Sequence, residues 1–187
     1  MCRGEKNAFC NLHGYLRCHG SRGDIYGVDL MVKTNAERML EKAKIPFCAF
    51  DYEYDENDLS GVHAAENLGI SPCEFFKTLV LKGTKNGYFV CCIPVDRELD
   101  LKKAAAVFSD KSAEMLHVKD LQGITGYVRG GCTPIGMKKQ FAVFFDKSIG
   151  DLECVFISGG TRGLAIKVNK NDLIPFVKGK VADIVKD

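Results

Sequence analysis

Lys77 stands inside the apolar run Phe75-Phe76-Lys77-Thr78-Leu79-Val80-Leu81, where strand alternation puts it on the same face as Phe75, Leu79 and Leu81. A cation on such a face is costly unless it is used to hold a phosphate, to stabilise a developing oxyanion, or as a base of lowered pKa. The plain alternative is a lysine that snorkels to the sheet edge along its aliphatic stem. Two loops add to the pattern, Gly126-Tyr127-Val128-Arg129-Gly130-Gly131-Cys132-Thr133-Pro134-Ile135-Gly136 and Ser158-Gly159-Gly160-Thr161-Arg162-Gly163. Glycine costs backbone entropy and brings nothing to bury, so its clustering suggests unusual dihedrals or amides held close to a ligand. Each loop carries an arginine, Arg129 and Arg162, which suits an anionic or carbonyl-bearing ligand or, more plainly, a surface charge. Ser158 ends one apolar run and opens the second loop, so its hydroxyl either faces that ligand or satisfies a turn.

Several chemistries are excluded or left without support. The chain has no G-x-x-x-x-G-K-[ST] phosphate loop, no G-x-S-x-G nucleophile elbow and no H-E-x-x-H zinc helix. His63 reads as a helix-surface residue and His117 as structural. Cys132 is the one cysteine in an exposed-loop context, but as a nucleophile it needs an activating cation and base that the sequence does not place. The chain has nine cysteines, and Cys48, Cys91, Cys92 and Cys154 lie in apolar runs, as small buried reduced thiols do. No C-x-x-C pair occurs, and neither a metal nor a cofactor is expected; Cys10, His13, Cys18 and His19 lack the regular paired spacing of a zinc site. The net charge of +2 excludes binding to nucleic acid through bulk charge, so any such contact is local. Lys102, Lys103, Lys138 and Lys139 form basic pairs that read as a solvated face or as a modest RNA footprint. With no apolar stretch of membrane-spanning length and no signal-peptide core, the sequence reads as cytoplasmic.

The elements that must position these residues follow from the pattern. At 187 residues and 46% hydrophobic, one domain with a real core is expected. Residues 1 to 30 are polar, glycine-rich and without helical or strand periodicity, and are expected to be a poorly ordered extension. Met31 directly precedes the first folded signal, so the segment is an extension or reflects an upstream start. From there to residue 187 the chain reads as one folded domain. Thr34 and Glu37 form a capping box before a helix closed by Pro46. A strand over 47–52, an acidic loop over 53–58, a helix over 62–68 capped by Gly69, and a helical turn at Ser71-Pro72-Cys73-Glu74 come next. Thr84-Lys85-Asn86-Gly87 joins strands over 75–81 and 88–93 as an antiparallel hairpin. Asp100 caps a helix to Val107, and a short helix spans 119–122. Strands over 141–145, 154–157 and 164–168, a helix over 172–177 and an end strand over 181–185 complete an α/β (α+β) fold on a largely antiparallel or mixed sheet, not a doubly wound one.

The segments FFKTLVLKG, LDLKKAA, GYVRGGCTPIGMKK and ISGGTRGL stand in this order across residues 34 to 187. Together they resemble the YbaK/EbsC family, relatives of the prolyl-tRNA synthetase editing domain. The resemblance implies a mixed, partly open β-barrel-like sheet surrounded by short helices. It implies an enzyme that clears cysteine from mischarged Cys-tRNA(Pro), with some action on Cys-tRNA(Cys). The substrate's own thiol attacks its ester and leaves as a cyclic thiolactone, so the activity is hydrolase-like or formally lyase-like. Proximity and oxyanion stabilisation are then what the protein supplies. By resemblance Lys77, Gly130 and Ser158 act at the ester, and Tyr52, Thr78, Gly131, Thr133, Gly159 and Arg162 bind substrate. The implied partners are the aminoacylated 3′ end of tRNA and prolyl-tRNA synthetase, with no membrane.

The chain also departs from the family pattern. Thr133 replaces the usual serine before the loop proline, and Leu59, Ser60 and Gly61 replace an expected aromatic. Pocket size and amino-acid selectivity therefore stay open, because a missing methylene is worth only about 1–3 kcal/mol. An Ala-tRNA(Pro) deacylase, and a non-catalytic module that binds the acceptor end or a synthetase, are the alternatives.

Overall fold

The computed structural model describes residues 15–19 and 33–186. Of the possible soft ligands near the N-terminus, Cys10 and His13 lie outside the described residues, as do the side chains of Cys18 and His19; Met31 lies outside them too. In chain order the elements are β1 (Tyr15–His19), α1 (Asn35–Lys42), β2 (Phe47–Asp51), α2 (Gly61–Leu68), β3 (Phe75–Gly83), β4 (Tyr88–Pro94), α3 (Leu101–Val107), β5 (Ala113–Met115), α4 (Val118–Thr125), β6 (Ala142–Asp146), β7 (Cys154–Ser158), β8 (Leu164–Asn169), α5 (Lys170–Phe176) and β9 (Lys180–Ala182). Local signals set most of these bounds. The Thr34 and Glu37 capping box forms reciprocally at the start of α1. Ser60 caps α2, which Gly69 ends in the left-handed conformation. Gly87, at φ +81°, turns the β3–β4 hairpin.

The strands form one mixed sheet in the order β1-β2-β8-β7-β3-β4-β6-β9, with β5 added beside β3. The path is open, since β1 and β9 stand at its two ends. Pairing is antiparallel at β1–β2, β2–β8, β7–β8, β3–β4 and β3–β5. It is parallel at β3–β7, β4–β6 and β6–β9. β1 falls in the segment whose sequence shows no strand periodicity; it is recruited by the backbone edge of β2. The expected end strand over 181–185 is shorter. β9 stops at Ala182, and the chain then leaves β6, because Asp146 takes the Ile184 amide and Val185 makes a lone bridge to Leu99.

Alternation along the strands sorts the core into two faces. Phe76, Val80, Val90, Cys92 and Ile157 pack on one face with Ala36 and Leu40 of α1. The opposite face carries two separate clusters. Phe50, Phe75 and Phe156 pack beneath Ala64, Ala65 and Leu68 of α2. Leu81, Phe89, Cys91 and Phe144 pack beneath Ala104 of α3, with Leu79 against them. Neighbouring Cys91 and Cys92 thus point to opposite faces, as the strand pattern requires. Lys77 lies between Phe75 and Leu79, in the seam between the α2 and α3 clusters.

Candidate active site

The sheet parts at β3. β7 pairs with β3 only at Phe75 and Phe76, while β5 joins the same strand at Leu81. Between them, Lys77, Thr78 and Leu79 have no strand partner on that side among the described residues. A cavity of about 500 Å³ lies over this gap, within the range of small-ligand sites. Its walls are Tyr52 and Leu59 from the segment after β2, His63 from α2, and Gly130, Ser158 and Arg162 from the glycine loops.

Lys77 is half-buried and its Nζ donates to the Val95 carbonyl at 3.0 Å. Burial pulls its pKa down, opposed by the nearby charges of Asp96 and Glu98. The turn that presents Val95 is fixed by the Val95 amide bonding Phe75 O and the Arg97 amide bonding Pro94 O. Thr78, beside it, has its Oγ1 3.8 Å from Cys92 Sγ. Ser158 is 9% exposed and ends β7 at the cavity wall, and its Oγ has no hydrogen-bond partner among the described residues. An unsatisfied buried hydroxyl costs about 1–3 kcal/mol, a cost that a polar ligand in the cavity relieves. Burial raises the Tyr52 phenol, with a backbone hydrogen bond at Gly163 working the other way.

The two glycine loops are clasped together. Arg162 donates through Nε to Arg129 O at 3.1 Å, and its Nη1 lies 3.7 Å from Glu56 of the acidic loop. A Cβ on Gly131 would lie 3.0 Å from the Thr161 backbone, so any other residue there would push the loops apart by a few tenths of an ångström. Gly130 takes φ +87° and faces Leu59 and Arg162. Of the residues singled out from the sequence, Tyr52, Lys77, Thr78, Gly130, Ser158 and Arg162 converge on the cavity. Gly131, Thr133 and Gly159 do not line it; they are buried behind its wall, and the Thr133 hydroxyl is a second unpaired one.

Other residues stand where the sequence did not put them. Cys132 is not exposed: it is 9% accessible and packs into the core, because Tyr127 and Ile135 fold the first loop inward through the Tyr127 OH to Ile135 O bond of 2.6 Å. Its thiol touches the cavity, but burial pushes its pKa to about 12. The thiol therefore stays protonated and weakly nucleophilic at neutral pH. His63 lines the cavity instead of facing solvent. The Asn67 side-chain nitrogen lies 3.2 Å from its Nε2 and also donates to Glu53 O at 2.8 Å. Its place one turn before Asn67 on α2 was the available sequence signal. Lys103 lies away from the cavity, bonded to Val185 O, and Lys138 bonds Gln122 O beyond α4. Among the described residues no group of three or more His, Cys, Asp or Glu is arranged to hold a metal, and no helix is long and apolar enough to cross a membrane.

The profile of the aminoacyl-tRNA editing domain matches residues 59–176, which contain Lys77, both glycine loops and Ser158. The chain belongs to this family. EbsC of Enterococcus faecalis, named as a candidate Cys-tRNA(Pro)/Cys-tRNA(Cys) deacylase, is 43% identical over 81% of this chain and 93% of its own length. Proline–tRNA ligase of Fervidobacterium nodosum is 30% identical over 71% of this chain but only 22% of the ligase, so this editing domain corresponds to one part of that larger enzyme. A crystal structure described as that of a candidate trans-editing enzyme for prolyl tRNA synthetase superposes with a TM-score of 0.71 at 20% identity, over 84% of this chain and all of the other. At that identity the likeness is one of fold, and it extends to the mixed, open sheet of the editing domain. Where the expected aromatic is missing, Leu59 fills part of the wall beside Gly130, and Gly61 lets α2 close against Val95.

Proposed function

We propose that this chain removes cysteine from Cys-tRNA(Pro), and from Cys-tRNA(Cys), by ester cleavage assisted by the substrate's own thiol. One observation carries the reading: the cavity offers a cation, an unpaired hydroxyl and glycine-rich backbone, while its one thiol, Cys132, is protonated. Such a site positions and polarises but supplies no nucleophile of its own. The reaction balances without one. The substrate sulfur forms a bond to the ester carbonyl, the bond from that carbon to the ribose oxygen breaks, and the thiol proton ends on the ribose hydroxyl. A cyclic thiolactone leaves and hydrolyses in water.

Lys77 is the group for the negative charge that develops on the carbonyl oxygen, helped by backbone at Gly130. Ser158 holds the amino-acid head, with Tyr52 and Thr78 bounding it, and Arg162 meets the tRNA end. Gly131, Thr133 and Gly159 act indirectly, by keeping the two loops in contact. Positioning thiol and carbonyl together supplies the rest of the acceleration. The setting is the cytoplasm, with prolyl-tRNA synthetase delivering the mischarged tRNA.

The replacement of an aromatic by Leu59, Ser60 and Gly61 favours a second reading, removal of alanine from Ala-tRNA(Pro). Purified protein tested on Cys-, Ala- and Ser-tRNA(Pro) separates the two, because alanine is cysteine without its sulfur. Cysteine is expected to leave fastest, with thiolactone detected, and Lys77→Ala to lose about 10²–10³-fold in rate. Undiminished deacylation by Lys77→Ala would sink the mechanism, and equal turnover of the alanyl ester would replace the first reading by the second.

A further inference from the structure

The cavity is far larger than a cysteinyl group, and its chemistry changes along β3. At one end stand Tyr52 and Ser158 beside Lys77; at the other the lining is Leu79, Met115, Leu116, Val118 and Leu121. β5 and the start of α4 build this second end. Met115 pairs with Leu81, and the Leu116 amide donates to Val80 O at 2.9 Å. Met115 is 42% exposed and Val118 58% exposed, so two large apolar side chains face water at the rim of a cavity. Isolated surface hydrophobes need no explanation, but a contiguous apolar flank that continues a ligand site is a contact surface.

We propose that this flank is the seat of the terminal adenine of the tRNA, a base-binding shelf separate from the amino-acid end. The inference rests on the aminoacyl-tRNA reading of the cavity. The ester joins the amino acid to the terminal ribose, so the base must lie about one ribose beyond the reacting carbonyl. Two to three residues past Lys77 along a strand is about 7–10 Å, which reaches Leu79 and then Val80, whose carbonyl is bonded by Leu116 just after β5. The shelf offers a purine what it needs there: a flat apolar contact, with a thioether at Met115 suited to the edge or face of an aromatic ring. A base held this way fixes the ribose, and through it the carbonyl, over Lys77.

The test is a binding measurement that needs no turnover. An uncharged acceptor-stem minihelix with 2-aminopurine as its terminal base is titrated with the protein and followed by fluorescence, beside the same minihelix lacking that base. Wild-type protein is expected to change the 2-aminopurine signal and to bind the abasic minihelix roughly ten-fold more weakly. Met115→Ser/Val118→Ser, at exposed positions that do not carry the fold, should weaken binding of the first minihelix by the same factor and leave the abasic one unchanged. Val118→Phe, which widens the shelf, should tighten only the base-bearing form. Equal affinity of wild type for the two minihelices, or equal losses by the double variant on both, overturns the shelf and leaves the flank to a protein partner. If base-dependent binding holds while no mischarged tRNA is deacylated, the proposed reaction fails and the shelf stands.

Discussion

A half-buried lysine in the seam between two hydrophobic clusters gives up water that favours its charged form, and neighbouring groups oppose that loss. For Lys77 the Val95 carbonyl and the charges of Asp96 and Glu98 do so. In the proposed mechanism the ammonium is the acting form, so the rate of deacylation is expected to fall as pH rises through a pKa that burial has lowered. Removing the two carboxylate charges, in Asp96→Asn/Glu98→Gln, lowers that pKa further and should shift the alkaline limb of kcat/KM to lower pH. The neutral-pH plateau should change less than the limb does. A limb that stays in place in the double variant assigns it to another group. Both carboxylates lie on the turn after β4 and outside the cavity wall, so the profile reads Lys77 without removing a wall residue.

The glycine loops act as one element through contacts that no side chain could make. Gly131→Ala would put a Cβ 3.0 Å from the main chain of Thr161, which cannot rotate away. A loss of about 1–2 kcal/mol is expected, seen as a fall of roughly 2–8 °C in Tm. Activity measured well below Tm should fall further than stability, because parting the loops moves Gly130 and Arg162 together. An activity loss no larger than the unfolded fraction explains would deny the clasp a role in the site. Elements with strong local codes were legible from residues alone: the Thr34 and Glu37 box, the Gly69 stop of α2, the Asn86-Gly87 hairpin. Elements decided by partners were not. β5 is a three-residue strand that exists because β3 has a free edge at Leu81, and the parallel pairing of β3 with β7 joins residues about 80 apart in sequence. At the site, the glycines, Lys77 and Ser158 could be picked out by type. The inward turn of Cys132 and the approach of His63 depend on how loops and helices dock, which periodicity does not encode.

At the scale of the whole molecule, charge sets how the proposed tRNA substrate would be held. A net charge of +2 and an arginine already engaged by Glu56 leave few cations near the cavity mouth. Contact with two or three phosphates is expected, so log K against log salt should have a slope of about −2. Steeper dependence, measured by minihelix binding between low and physiological salt, would require a basic surface beyond Arg129 and Arg162. Weak intrinsic grip of this kind suits delivery by a synthetase that already holds the tRNA. The parting of the sheet at Lys77, Thr78 and Leu79 has a consequence for how such a site changes over time. An open main-chain edge offers its N–H and C=O groups whatever the side chains are, so the frame facing the ester survives substitution. In the proposed reaction, selectivity for the amino acid would rest instead on wall residues such as Leu59, which belongs to a loop outside the named strands. If the proposed reaction holds, one scaffold is open to retuning from one misacylated tRNA to another by replacing a wall residue, with the main-chain frame of β3 left untouched.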